Sequence, residues 1–205
     1  MVDWAADLAF VAVVLGVASV VQQRGAVKAG VRLFIVIAAG LVAMNDFEPL
    51  TAFLIRVTNG AGVAIEYGLF GSLIVLFAGS AALLELIANR LLPEPPDLAP
   101  RLDNAGRWVG GALAGIVTAA FLFTAVHTYP GPRDFWGYLP AEPAKRRGPI
   151  LGNAPEEHWL RFTRHVSENV FARPDGRSFE PAETESTGDA SPFVMRYARW
   201  RAERE

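Results

Sequence analysis

The sequence contains no cysteine, which excludes a disulfide framework, a thiol nucleophile and a cysteine-ligated zinc site. Histidine is scarce: His127, His158 and His165 are the only three. His127 ends an apolar run and the other two lie seven apart, so at most two share a helix face and no metal centre is expected. Also missing are a phosphate-cradling loop ending in Gly-Lys-Ser/Thr and a Gly-x-Ser-x-Gly nucleophile elbow. Ser167 and Asp189 can be set beside His165 on paper, but no spacing supports a triad. The expectation is a protein that is not an enzyme and needs no cofactor. With a formal net charge of -2 and a pI near 6.0 there is no overall basic footprint, so nucleic acid is not an expected partner. The most informative shortage is local. No Lys or Arg precedes Arg24.

What is present is apolar sequence gathered in blocks: 52% of residues are hydrophobic and the mean hydropathy is +0.26. A membrane-spanning helix needs roughly 20 mainly apolar residues, because the hydrocarbon layer is about 30 Å thick. Four segments approach that length, at about residues 4–21, 26–45, 67–85 and 108–126. The first is expected to remain as a span, since a cleaved signal carries cations before its apolar stretch and here Asp3 precedes it while Arg24 follows. In the second, Lys28 and Arg32 lie inside the first two turns, with stems long enough to reach the headgroups. Pro49 is expected to break that helix and leave 50–57 as an interfacial piece too short to span. Glu66 and Glu85 flank the third segment. The proline-rich "LLPEPPDLAPRLD" after it reads as a stiff, non-helical connector. These segments make residues 1–130 an all-α membrane domain, a bundle of four transmembrane helices in contact with the lipid bilayer.

Cations set the expected orientation. The first and third loops hold Arg24, Lys28, Arg32, Arg90, Arg101 and Arg107, against Arg56 in the second. By the positive-inside rule the odd-numbered loops are cytoplasmic and both termini lie outside. Arg24, Lys28 and Arg32 thus act as an orientation anchor.

Three features together resemble the colicin V production protein (CvpA) family: the acidic residue before the first span in "VDW", the "RGAVKAG" turn at Arg24 to Gly30, and the glycine-rich "GGALAG" of the fourth span. The resemblance covers about residues 2–128. It implies a bacterial inner-membrane protein of four spans, linked to envelope homeostasis and to export of a peptide toxin, with no enzymatic activity. In some relatives the same portion anchors an extracytoplasmic serine protease domain, which nothing in this tail matches. Family members usually place an Asp-Arg pair four residues before the first glycine of the last span. Here Arg107 stands four before Gly111, and the nearest Asp is Asp103, a turn earlier.

Gly111, Gly115 and Ala119 share one face of the fourth segment, and Gly110, Ala114 and Thr118 the adjacent one. Small residues at this spacing let helix backbones approach closely. Two readings stay open, packing within one bundle and a face for a homo-oligomer. Arg32 and Glu85 both belong at the cytoplasmic side, where an intramembrane pair between segments two and three is plausible; interface anchoring or a structural pair is the favoured reading, and a solute path is the other. Ser72 and Ser80 share a face of segment three and are expected to return their hydroxyls to the helix backbone.

Residues 131–205 read as a soluble tail with a small amphipathic helical hairpin, its helices at about 154–171 and 192–204. Pro155 suits the first turn of one helix, with Glu156 and Glu157 at its positive end. Too small to be secure alone, the hairpin must rest on itself, on the membrane or on a partner. Trp159, Phe162, Phe193, Tyr197 and Trp200 are the expected contacts with an unknown envelope protein. The whole reads as a scaffold or accessory factor for envelope homeostasis or secretion, the alternative being a small channel or exporter subunit for a solute or peptide.

Overall fold

Many small residues of this chain face inward and many large apolar ones face out, beside a core that also buries Met44, Phe47, Leu73 and Phe121. The computed structural model describes residues 4–59, 62–92, 98–132, 135, 138–140, 145–146, 148–169, 193–194 and 196–198. Five helices dominate: α1 (Ala5–Val21), α2 (Ala26–Val57), α3 (Gly62–Leu91), α4 (Pro100–Val126) and α5 (Pro155–Asn169). No strand occurs among the described residues. Ala29, Ala39, Ala43, Ala114, Ala119 and Ala125 are fully buried, while Phe34 and Val75 are 72% and 64% exposed. Water does not favour that inversion, but lipid does, because helices in lipid associate through close backbone approach and not through hiding of oily side chains. Helices α2, α4 and the stretch Tyr67–Leu91 of α3 are long and apolar enough to cross a membrane. The shorter α1, 17 residues, rises about 25 Å by helix geometry. The fold is a helical membrane bundle.

Helix α4 stands between α1 and α2, and α3 leans mainly on the far side of α2. Glycine sets the closest contacts. A Cβ added at Gly111 would lie 3.1 Å from the Ala18 carbonyl oxygen, and one at Gly115 would lie 2.6 Å from that of Val14. Gly110 meets Ala29 of α2 in the same way, at 3.0 Å from its Cβ. So the small-residue faces of α4 seat α1 on one side and α2 on the other.

Two expected boundaries differ. Helix α2 continues through Pro49 to Val57, so 50–57 is not a separate interfacial piece. An interior proline removes one N–H and crowds the preceding turn, at about 3 kcal/mol, yet neighbouring helices and hydroxyls can compensate in a membrane. Two residues beyond the proline α2 is pinned to α3: the Thr51 hydroxyl, buried there, lies 2.8 Å from the Phe47 carbonyl oxygen, 3.1 Å from that of Gly68 and 2.9 Å from Ser72 Oγ. Ser72 therefore links two helices. The second boundary is the proline-rich connector, which turns helical at Pro100, because proline at the first helical position has no N–H to lose.

The tail is not a free-standing hairpin. Helix α5 packs on α4 and α2, and a Cβ at Gly40 would lie 2.6 Å from Trp159 Cζ2. Phe193, Val194, Tyr197 and Ala198 enter the same core with Met44, Phe47 and Phe121. The physical reason lies in the stripe that makes α5 amphipathic. α2 and α4 offer a complementary apolar face to cover it.

Candidate functional site

At the end of the bundle where α4 stops, three ionisable side chains are shut away together. Arg146 reaches in from the loop before α5, Glu156 from the first turn of α5, and His127 from the C-cap of α4. Arg146 Nε donates to the Pro140 carbonyl oxygen at 2.8 Å, and its Nη1 is ion-paired with Glu156 Oε1. His127 Nε2 stands 4.0 Å from that same carboxylate oxygen. All three side chains are at most 1% exposed. Burial pulls the Arg146 guanidinium down to about 10, against the opposing field of Glu157, so it stays charged at neutral pH. A carboxylate between a guanidinium and an imidazole has the chemistry of an acid–base pair, but this one meets neither solvent nor solute. It works as a buried fastening.

A second fastening lies beside it. Asp7 of α1, 3% exposed, accepts the Leu151 N–H at 2.8 Å and the Ile150 N–H at 3.5 Å. The chain comes this close because Gly148 has φ +111°, and a Cβ there would lie 2.3 Å from Asp7 Oδ2. Farther along, Ser167 Oγ donates to Asn45 Oδ1 at 3.1 Å, and Arg196 Nη2 donates to Glu48 Oε1 at 2.8 Å. Arg196 also lies over the Tyr197 ring, 4.9 Å from its centroid. Burial holds the Tyr197 phenol well above its usual range. Helices α1, α2 and α4 all grip the tail.

The opposite end carries the cationic turn. Arg24 closes a 3-10 turn, Gln22–Arg24, and Gly25 follows at φ +87°. Gly25 has no side chain to cap α2, so Asp103 of α4 does it, accepting the Ala26 N–H at 2.8 Å. Arg107 lies 4.0 Å from the other Asp103 oxygen. Arg32 and Glu85 meet: Arg32 Nη2 donates to Glu85 Oε1 at 2.6 Å and Nε at 3.2 Å, while Nη1 donates to the Val20 carbonyl oxygen at 3.1 Å. Lys28 lines the same cleft between α2 and α3.

Several residues singled out in the sequence are already used inside the chain. Gly111 and Gly115 are covered by α1 and Ala119 is fully buried, so that face is not open to a second copy. Trp159, Phe193 and Tyr197 are buried in the core and do not face a partner. The reason is the same for all three: α2 and α4 complete the apolar stripes. Phe162 remains 42% exposed, and Trp200 lies outside the described residues. Among the described residues no three His, Asp or Glu side chains come together as a metal site.

Sequence reasoning passed over Asp7, Thr51 and the Arg146–Glu156–His127 cluster. Their only signal was polar type beside an apolar run. No family model matches the chain, and no curated protein or solved structure matches it either.

Proposed function

We propose that this chain is a membrane scaffold or accessory factor, not an enzyme, that holds a helical surface at one end of a closed bundle. The observation that supports this is the fastening of α5. Asp7 of α1 holds the turn that leads into it, Asn45 of α2 accepts from Ser167, and His127 at the end of α4 stands beside Glu156, so its outward residues Arg161, Phe162, Arg164 and His165 form a surface with a set orientation. Close packing argues in the same direction. Where Gly111 and Gly115 bring the α4 backbone against that of α1, no room is left for a solute between those helices.

The resemblance to the CvpA family, on "VDW", "RGAVKAG" and "GGALAG", supports a bacterial inner-membrane setting and a role in envelope homeostasis or secretion. The cations of the α1–α2 and α3–α4 loops favour an orientation with both termini extracytoplasmic. The partner is then an envelope protein met through the outward face of α5.

The test is solute flux across liposomes holding the purified chain, together with paired reporters fused at Glu205, one active outside the inner membrane and one inside. A scaffold gives no flux above empty liposomes and activity of the external reporter. Flux abolished by Arg32→Gln or Glu85→Gln would replace this reading with the channel or exporter one.

A further inference from the structure

A groove runs down the flank of the bundle where α1 and α4 meet the chain that leads into α5. Its volume is about 420 Å³, inside the range of small-molecule sites, roughly 300–1,000 Å³. The walls are Val11, Val14 and Leu15 of α1 and Ile116 of α4. Leu15 is 61% and Ile116 43% exposed, and the two valines are half-buried. The tail closes one end with Ile150, with Asn153 of the turn Leu151–Asn153, and with His158 of α5.

Depth says what meets this groove. Asp7 holds the tail turn through the Leu151 N–H, and Leu15 stands eight residues farther along α1, about 12 Å by helix rise. Half of a hydrocarbon layer is about 15 Å, so the groove covers most of one leaflet, from the tail to the middle of the bundle. Acyl chains of lipid lie beside it. A helix of a second copy is the wrong shape, since a single helical turn, roughly 5.4 Å long and 10 Å across, already fills about 420 Å³. One alkyl chain is slim enough to run the whole length.

The polar end selects among lipids. Lipid tails are as apolar as these walls, so a chain gains little by entering, and residence rests on the groups at the tail end. Asn153 Nδ2 donates to the Pro149 carbonyl oxygen at 3.0 Å, which leaves Oδ1 as an acceptor. The His158 imidazole is exposed and makes no hydrogen bond among the described residues, and it has an N–H to donate in either protonation state. No Asp, Glu, Lys or Arg lines the groove. One donor, one acceptor and no fixed charge match a net-neutral headgroup that accepts through phosphate or ester oxygens and donates through an ammonium N–H.

We infer that this groove is a binding site for a zwitterionic phospholipid of the phosphatidylethanolamine type. One acyl chain lies along Val11, Val14, Leu15 and Ile116, a lipid oxygen accepts from His158, and the ammonium donates to Asn153. The site goes beyond scaffolding and rests only on the helical membrane fold. A lipid seated there bridges α1, α4 and the start of α5.

The experiment gives the purified full-length chain, in detergent, equal amounts of phosphatidylethanolamine and phosphatidylcholine whose acyl chains end in a photoreactive diazirine. Phosphatidylcholine has the same phosphate and chains but no ammonium N–H. Retention is read by native mass spectrometry and the adducts by peptide mapping. Adducts should gather on Val11, Val14, Leu15 and Ile116, well above Val75 and Leu83 of α3, which are as exposed as Leu15. Phosphatidylethanolamine should be retained about threefold over phosphatidylcholine, the worth of one modest hydrogen bond in a membrane. His158→Ala should lower retention of both lipids by about the same factor, and Asn153→Ala should erase the preference between them. Adducts spread in proportion to exposure would reduce the groove to ordinary lipid contact and overturn the site, and this reading of the unmodified chain stands even if a variant fails to fold. Equal retention of the two lipids overturns the headgroup assignment, as does a His158→Ala chain that binds both unchanged. The chain has no cysteine, so Leu15→Cys supplies a single thiol. A disulfide between copies through it would put a second copy in the groove and overturn the lipid.

Discussion

Arg146 shows how a single residue can lock the loop after α4 onto the first turn of α5. A buried ion pair adds little over a well-packed apolar pair, yet removal of one partner leaves the other charge stranded, at about 3–5 kcal/mol. Glu156 is fully buried, so Arg146→Gln should lower stability by an amount in that range, read as a fall in the unfolding midpoint in detergent. Replacing both charges, Arg146→Met with Glu156→Leu, should recover most of the loss. A single substitution without effect would mean that Asp7 and the apolar contacts of Trp159 hold α5 alone. None of this was legible at the level of residue type. Arg146 stands among three consecutive cations of a polar loop, and Glu156 reads as an ordinary first-turn acid. Their meeting depends on how the loop between α4 and α5 folds back, and local pattern does not encode that. Arg32 and Glu85 were easier, because each interrupts an apolar block at the same depth.

At the scale of the helix, glycine positions separate packing from exposure. Gly16 and Gly115 sit in facing helices with the same chemistry. A Cβ at Gly16 meets nothing within 4 Å, whereas one at Gly115 lies 2.6 Å from the Val14 carbonyl oxygen. Gly115→Leu should therefore force α1 and α4 apart and cost about 1–3 kcal/mol or more. Gly16→Leu should stay within about 0.5 kcal/mol of the unmodified protein. Thermal unfolding of both variants checks the contrast, and equal effects would mean that helix propensity and not packing governs these sites. The apolar blocks were plain in the sequence because a span must be long and oily whatever it packs against. Which glycines face a neighbour was partly plain, since small residues repeat every four along α4. The passage of α2 through Pro49 was hidden, because what holds the helix beyond it is packing against α3, where Thr51 meets Gly68 and Ser72 across the chain. The caps that Asp103 and Asp7 supply were hidden for the same reason. Each acts on backbone far away in the chain.

For the whole molecule, the tail and the bundle form one core. Trp159, Leu160, Phe193 and Val194 are buried together with Met44, Phe47 and Phe121, so residues 1–130 do not hide their own apolar interior. A chain ending at Gly131 uncovers the face of α2 around Gly40 and Phe47 and leaves Asp7 without its backbone donors. Such a chain should show a lower unfolding midpoint and a broader size distribution in mild detergent than the full protein. Trp159→Ala, which empties one pocket and keeps every charged contact, should fall between them, with a loss of about 3–5 kcal/mol for a large buried aromatic. Preservation of the midpoint in the truncated chain would show that the tail rides on a bundle already complete. That result would bear on function too. In a scaffold built as one core, the outward face of α5 is displayed only when the spans are assembled, so Trp159→Ala should weaken partner crosslinking through position 162 in step with its loss of stability. If crosslinking survived while stability fell, the tail would be recognised as a sequence and not as a surface.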